Sequence, residues 1–137
     1  MINRLCAEKI KTAAYSKKIV ILLGARQVGK TTLLKALFES EFSLLWLNGD
    51  ELDVQNLFAS LSAERFKAYL GNKKIVVIDE AQRISDIGLR LKLIADTIPE
   101  IQIFATKYIE CCIKFYCIII YNYQDLLKKF VFRIYAL

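Results

Sequence analysis

Hydrophobic positions along this chain keep two rhythms in alternation. Short unbroken apolar runs rich in β-branched residues predict strands buried on both faces, and stretches with apolar residues three and four apart predict amphipathic helices. Leu5, Cys6, Ile10, Ala13 and Ala14 share one face of a helix predicted over 3–15. "KIVILL" (18–23), ended by Gly24, predicts the first strand. From Lys30, "KTTLLKALFES" predicts a helix with Leu33, Leu34, Leu37 and Phe38 on its apolar stripe. "FSLLWLNGD" (42–50) predicts a second strand that closes in a turn. Residues 52–72 read as one helix, with Leu57, Leu61, Phe66 and Leu70 facing the core and Gly71-Asn72 as its stop. A third strand follows at "KIVVIDE" (74–80), then a helix over 88–98 stopped by Pro99, then a fourth strand at "IQIFAT" (101–106).

Strand and helix thus alternate four times. That alternation predicts an α/β domain, three-layered with helices on both sides of a mainly parallel sheet and right-handed crossovers. After Thr106 the rhythm is lost. Residues 107–137 hold eight of the sixteen aromatics and three of the four cysteines, with no glycine or proline to punctuate them. "FYCIIIYNY" (115–123) reads as a strand and "QDLLKKFVFRIYAL" (124–137) as a short helix. The chain therefore divides into a core at 1–106 and an atypical apolar tail at 107–137.

Composition narrows the class. A length of 137 residues suits one domain with a real core, and 55% hydrophobic content with one proline excludes a disordered or fibrous chain. The net charge of +6 is spread along the sequence, so a nucleic-acid partner rests on charge alone. There are no histidines, and Cys6, Cys111, Cys112 and Cys117 lack the spacing of a zinc site. Free thiols in a reducing compartment account for them. The amphipathic start "MINRLCAEKIK" lacks a secretory core, and no apolar run reaches the length that spans a bilayer. These features predict a soluble, cytoplasmic protein without a membrane partner.

The candidate chemistry begins where the first strand ends. Gly24-Ala25-Arg26-Gln27-Val28-Gly29-Lys30-Thr31 satisfies G-x-x-x-x-G-K-[ST], with a buried strand before it and a helix after it. Glycines let the backbone curl so that successive N–H groups face phosphates, and the following helix presents its positive end to the anion. Lys30 is the candidate to reach the terminal phosphate oxygens, Thr31 to place its hydroxyl on Mg²⁺, and Thr32 to meet the innermost phosphate. In the third strand, four apolar residues bring Asp79 and Glu80 to the edge where sheet ligands bind. Asp79 is the candidate to hold Mg²⁺, and Glu80 to act as general base on the attacking water. An acidic pair of this kind favours ATP hydrolysis over transfer to a small acceptor. The chain has no guanine-reading "NKxD" motif, which disfavours GTP.

Together "KKIVILLGARQVGKTTLLKALF", "LLWLNGDE" and "KIVVIDEAQRISDIGLRLKLIADTIPEIQIFAT" resemble the AAA-domain P-loop ATPases of bacteria and archaea, over residues 1–106. Longer members of that group carry a C-terminal domain of unknown function. The resemblance implies a P-loop NTPase fold of the additional-strand catalytic glutamate type, strand order 5-1-4-3-2, with ATP and Mg²⁺ as cofactors. Gly24, Gly29, Lys30, Thr31, Thr32, Asp79 and Glu80 match the family's nucleotide and magnesium positions. Arg26 could touch a phosphate or a neighbouring subunit, or be a solvated loop charge. Arg83 could orient a carboxylate or act across an interface, although a surface salt bridge accounts for it. Gln82 is a candidate to position water. Asn48 and Asp50 are best explained as turn caps.

The family's fourth strand runs into a polar turn, "ATGSS", where this chain keeps Ala105-Thr106 and continues with Lys107-Tyr108. Thr106 is the remaining stand-in for the residues that sense the terminal phosphate. The ending resembles a truncated or replaced one, and a fifth strand at 115–121 is the competing account. The expected function is therefore ATP·Mg²⁺ binding, ancestrally with hydrolysis to ADP and phosphate. The alternative is a nucleotide-gated interaction module with little turnover. Either leaves open a homo-oligomer or a protein partner.

Overall fold

The computed structural model describes residues 4–13, 18–108, 117–122 and 135–136. Its elements are α1 (Arg4–Ala13), β1 (Lys18–Gly24), α2 (Lys30–Phe38), β2 (Leu44–Asn48), α3 (Leu52–Ala59) and α4 (Ala63–Leu70). There follow β3 (Ile75–Asp79), a single 3₁₀ turn at Ala81–Arg83, α5 (Ile87–Thr97), β4 (Gln102–Tyr108), β5 (Cys117–Asn122) and β6 (Tyr135–Ala136). Among the described residues no helix is long and apolar enough to cross a membrane.

The sheet order is β2-β3-β4-β1-β5-β6. β1, β4, β3 and β2 are parallel, whereas β5 runs antiparallel to β1, and β6 antiparallel to β5. Neighbour for neighbour, the first five strands follow the order that the resemblance implied. Because side chains along a strand alternate between faces, each inner strand feeds two cores. Val76 and Ile78 of β3 and Ile103 and Ala105 of β4 pack with Phe58, Phe66, Leu91 and Ile94 of α3, α4 and α5. Ile75 and Val77 of β3 and Phe104 of β4 pack on the other face with Ile10 of α1 and Leu33, Leu34 and Phe38 of α2. Phe38 and Phe104 meet there at 4.9 Å between ring centroids. Buried on both faces, these strands read as continuous apolar runs, and the result is the expected three-layer α/β/α domain.

Three expectations need correction. The single helix expected over 52–72 is two, α3 and α4, broken at 60–62. Ser62 adopts an extended conformation and its hydroxyl accepts from the Arg65 N–H, so it caps a new helix instead of continuing the old one. Arg65 in turn donates to the Ser60 hydroxyl at 2.7 Å. The break turns Phe66 toward Phe58, with ring centroids 6.1 Å apart. Secondly, β4 extends past Thr106 to Tyr108, held in register with β1 by the pairs Leu23↔Lys107 and Gly24↔Tyr108. Thirdly, Tyr135–Ala136 is strand where a helix was expected; the rest of that expected helix, 124–134 and 137, lies outside the described residues. The strand expected within 115–123 is present as β5.

Candidate nucleotide site

The parallel strands end together. Gly24 of β1 is level with Tyr108 of β4, Ile78 of β3 with Ala105 of β4, and Asn48 of β2 with Asp79 of β3. That register sets four connecting segments side by side along one edge: the glycine loop, the turn after Asn48, the turn after Asp79, and the end of β4. Here, beyond the carboxyl ends of the strands, open α/β sheets bind their ligands.

The glycine loop leaves β1 at Gly24 and enters α2 at Lys30. Two of its residues take left-handed backbone conformations, Gln27 at φ 59° and Gly29 at φ 89°. Gly29 needs no side chain to do so, whereas Gln27 stores strain at the loop's tip. The Lys30 side chain curls back beneath the loop, only 6% exposed, and its ammonium donates to the carbonyls of Gly24 (3.0 Å) and Ala25 (2.7 Å). Burial pushes the Lys30 pKa below its ordinary value, and the nearby Glu80 and Asp79 carboxylates pull it partly back. A desolvated cation of this kind is stabilised when an opposite charge comes near.

Thr31, one residue further along α2, faces Asp79 at the end of β3. Its hydroxyl lies 2.8 and 3.0 Å from the two carboxylate oxygens. Thr106, fully buried on β4, donates its hydroxyl to Asp79 Oδ1 at 2.5 Å and accepts the Glu80 N–H at 2.9 Å. Glu80 N–H also reaches Asp79 Oδ1 at 3.2 Å. The Asp79 carboxylate, 7% exposed, is thus fixed by donors from α2, β4 and its own turn. Held by three donors from three segments, a buried carboxylate keeps one orientation.

Glu80 itself is left-handed, at φ 51°. A non-glycine residue held there is strained, and such strain gathers at functional sites. Its side chain accepts from Gln82 Nε2, while Gln82 Oε1 accepts the Tyr108 N–H at 3.1 Å. Arg26 is exposed but not simply solvated: its guanidinium lies over the Tyr108 ring, 4.9 Å from the centroid, within cation–π range.

Of the expected site residues, Gly24, Ala25, Lys30, Thr31, Asp79 and Glu80 are brought together. Val28 and Gly29 are half-buried in the loop, and Thr32 is exposed on the first turn of α2. Arg83 makes the surface ion pair expected of it, with Asp50 at 3.1 Å and both side chains about half exposed. Asn48 caps its turn by accepting the Asp50 N–H at 3.1 Å. Two residues escaped the sequence reading. Tyr108 lay beyond the strand end drawn at Thr106. Gly49 packs its backbone against the Asp79–Glu80 turn, donating its N–H to the Asp79 carbonyl at 2.7 Å. A Cβ at Gly49 would overlap the Glu80 carbonyl oxygen. The glycine in "LNGD" was the available signal for that close approach.

A parallel sheet between helical layers, with a glycine loop leading from the first strand into a helix, is the architecture of the P-loop nucleotide-binding proteins. The chain belongs to the AAA-domain family, whose model, described as an AAA domain, matches residues 16–107. Two uncharacterized mycobacterial proteins, from Mycobacterium tuberculosis and Mycobacterium bovis, are similar to it. Each is 31% identical over 94 residues, covering 69% of this chain and 20% of the relative. The chain therefore spans about a fifth of the length of the curated relatives it matches. Membership in this family suggests nucleotide binding.

Proposed function

We propose that the chain binds ATP with Mg²⁺ through Gly24–Thr32 and Asp79, and that Glu80 gives it ATP hydrolysis. One observation carries the reading: the Lys30 ammonium, held by the carbonyls at the start of the glycine loop, lies near enough to Asp79 and Glu80 to feel their charge, and the Thr31 hydroxyl at the loop's far end bonds Asp79. The donor set fits the cofactor. Lys30 keeps one of its three N–H donors beyond the two spent on Gly24 and Ala25, and would turn it to the β- and γ-phosphate oxygens. Among the described residues no group of three or more His, Cys, Asp or Glu stands ready to hold a metal by protein ligands alone. One hydroxyl and one carboxylate, Thr31 and Asp79, are the hard oxygen donors that suit Mg²⁺ when phosphates supply further oxygens. That ion, when bound, would neutralise phosphate charge. Arg26, Gln27 and Val28 would contribute the loop backbone, and Thr32 the first turn of α2.

Hydrolysis breaks the bond between the γ-phosphorus and the bridging oxygen while water adds to that phosphorus. Glu80 would accept the proton that the water loses. A second reading, a nucleotide-gated interaction module with little turnover, is favoured by Thr106. Its one hydroxyl proton goes to Asp79, its oxygen accepts the Glu80 N–H, and it is fully buried, so Thr106 itself has no donor left for a terminal phosphate or water.

Mg·ATP binding and phosphate release, measured for wild type, Lys30→Ala and Glu80→Gln, separate these readings. Lys30→Ala should abolish binding. Glu80→Gln should bind normally and lose turnover by about a hundredfold or more, the scale of a general base. Equal, slow phosphate release from wild type and Glu80→Gln would leave only the module reading. Absence of Lys30-dependent binding would remove both.

A further inference from the structure

We infer that Gln82 is a positioning residue for Glu80: its side-chain amide joins the Glu80 carboxylate to the backbone N–H of Tyr108 at the end of β4. The inference rests on the hydrolytic reading above and extends it to a residue outside the glycine loop and the acidic pair.

The chemistry of the two ends fixes the amide's orientation. An ionised carboxylate only accepts and a backbone N–H only donates, so Nε2 must face Glu80 and Oε1 must face Tyr108. The reverse orientation would set oxygen against oxygen and N–H against N–H. Gln82 and Glu80 are both half-buried, so the bond is partly shielded from competing water. The amide occupies Glu80 Oε2 and leaves the other carboxylate oxygen to meet a water. A base held by one oxygen presents the other in a restricted set of directions, which is what a base must do to reach an attacking water in line.

Its anchor is not another flexible side chain. The Tyr108 N–H belongs to β4, registered against Gly24 where the glycine loop begins. The Glu80 backbone is restrained from the other side, by the Thr106 hydroxyl of the same strand and by its left-handed conformation. Main chain and side chain of Glu80 are therefore both referred to β4. This requires that strand to reach Tyr108, two residues beyond the end that its apolar run suggests. The Tyr108 ring carries Arg26 at the loop's tip, so one residue of β4 receives both the loop and the carboxylate's tether.

The test has one arm without nucleotide and one with it, and uses Gln82→Met, which keeps the side chain's length without its amide, beside Gln82→Ala. In the nucleotide-free protein, hydrogen exchange at the Tyr108 amide should quicken about tenfold or more in both variants, because that N–H loses its acceptor. Glu80→Ala, which removes the other end of the tether, should quicken it too, by a smaller factor. With Mg·ATP, both Gln82 variants should bind within about twofold of wild type while kcat falls about tenfold, the scale of a misplaced catalytic group. Unchanged Tyr108 exchange in folded Gln82→Met, or a kcat left unchanged or raised, overturns the inference. Restoration of kcat by methionine but not alanine also overturns it, since packing would then be the cause. If wild type shows no Glu80-dependent turnover, the hydrolytic reading fails by itself, and the exchange arm still decides whether the tether exists.

Discussion

Gly49 carries no functional group, yet it fixes how closely the turn after β2 approaches the turn after β3. Its N–H bonds the Asp79 carbonyl at 2.7 Å, and its own carbonyl accepts from Gln55 Nε2 at 2.8 Å. Adding a methyl group forces it onto backbone oxygens that cannot swing aside. Gly49→Ala should therefore cost about 1–3 kcal/mol, read as a lower urea midpoint with an unchanged m-value. Because the displaced atoms belong to Asp79 and Glu80, Mg·ATP binding should weaken in the same variant. At this scale the sequence was informative where the candidate site is drawn from side chains at fixed spacing. Lys30, Thr31 and Asp79 were found by motif and strand context, and they do converge. Tyr108 and Gly49 were not found, because one contributes a main-chain N–H and the other a missing Cβ.

Elements were legible where one rhythm ran without interruption. The apolar runs of β1 and β3 and the stripe of α2 fell where periodicity put them, and β4 began there but ran two residues further. The run 52–72 failed because Leu57, Leu61, Phe66 and Leu70 keep an approximate helical spacing across a break, although α3 buries Val54 and Phe58 instead of Leu57. The evidence for the break lay in Ser60 and Ser62, residues that helices tolerate. Polar capping overrode the hydrophobic pattern there. α5 offers a test of element energetics. Gly88 sits on its first turn, exposed, and a Cβ there would meet nothing within 4 Å. Gly88→Ala should stabilise the fold by about 0.4–1 kcal/mol through helix propensity and a less free unfolded chain, visible as a raised urea midpoint with ligand affinity unchanged.

For the whole molecule, the neighbour order of the sheet was foreseen but the direction of β5 was not. Its direction follows from chain length. β4 ends at Tyr108 and β5 begins at Cys117, so only 109–116 connect them. A parallel β5 would have to return to the opposite edge first, a crossover that takes a dozen or more residues. The molecule as a unit should also report its ligand. Anything bound to the folded chain alone stabilises it, by about 2.7 kcal/mol at a hundredfold excess over Kd. Mg·ATP at that excess should raise the midpoint of thermal unfolding by about 5–10 °C, and Lys30→Ala should cancel the shift. Chelating the metal should remove most of it.

The place of β1 has a consequence for the order in which the chain can fold. It is the first strand in sequence, yet its partners are β4 and β5, at 102–108 and 117–122. The pair β2–β3 closes over a far shorter stretch of chain. During synthesis β1 therefore waits with both its edges open until residues 102–122 have emerged. Long loops of this kind slow closure, and an unpaired apolar strand is what neighbouring chains capture. The strand that feeds the glycine loop is sealed only when β4 and β5 arrive, and an apolar strand left open for that interval favours aggregation.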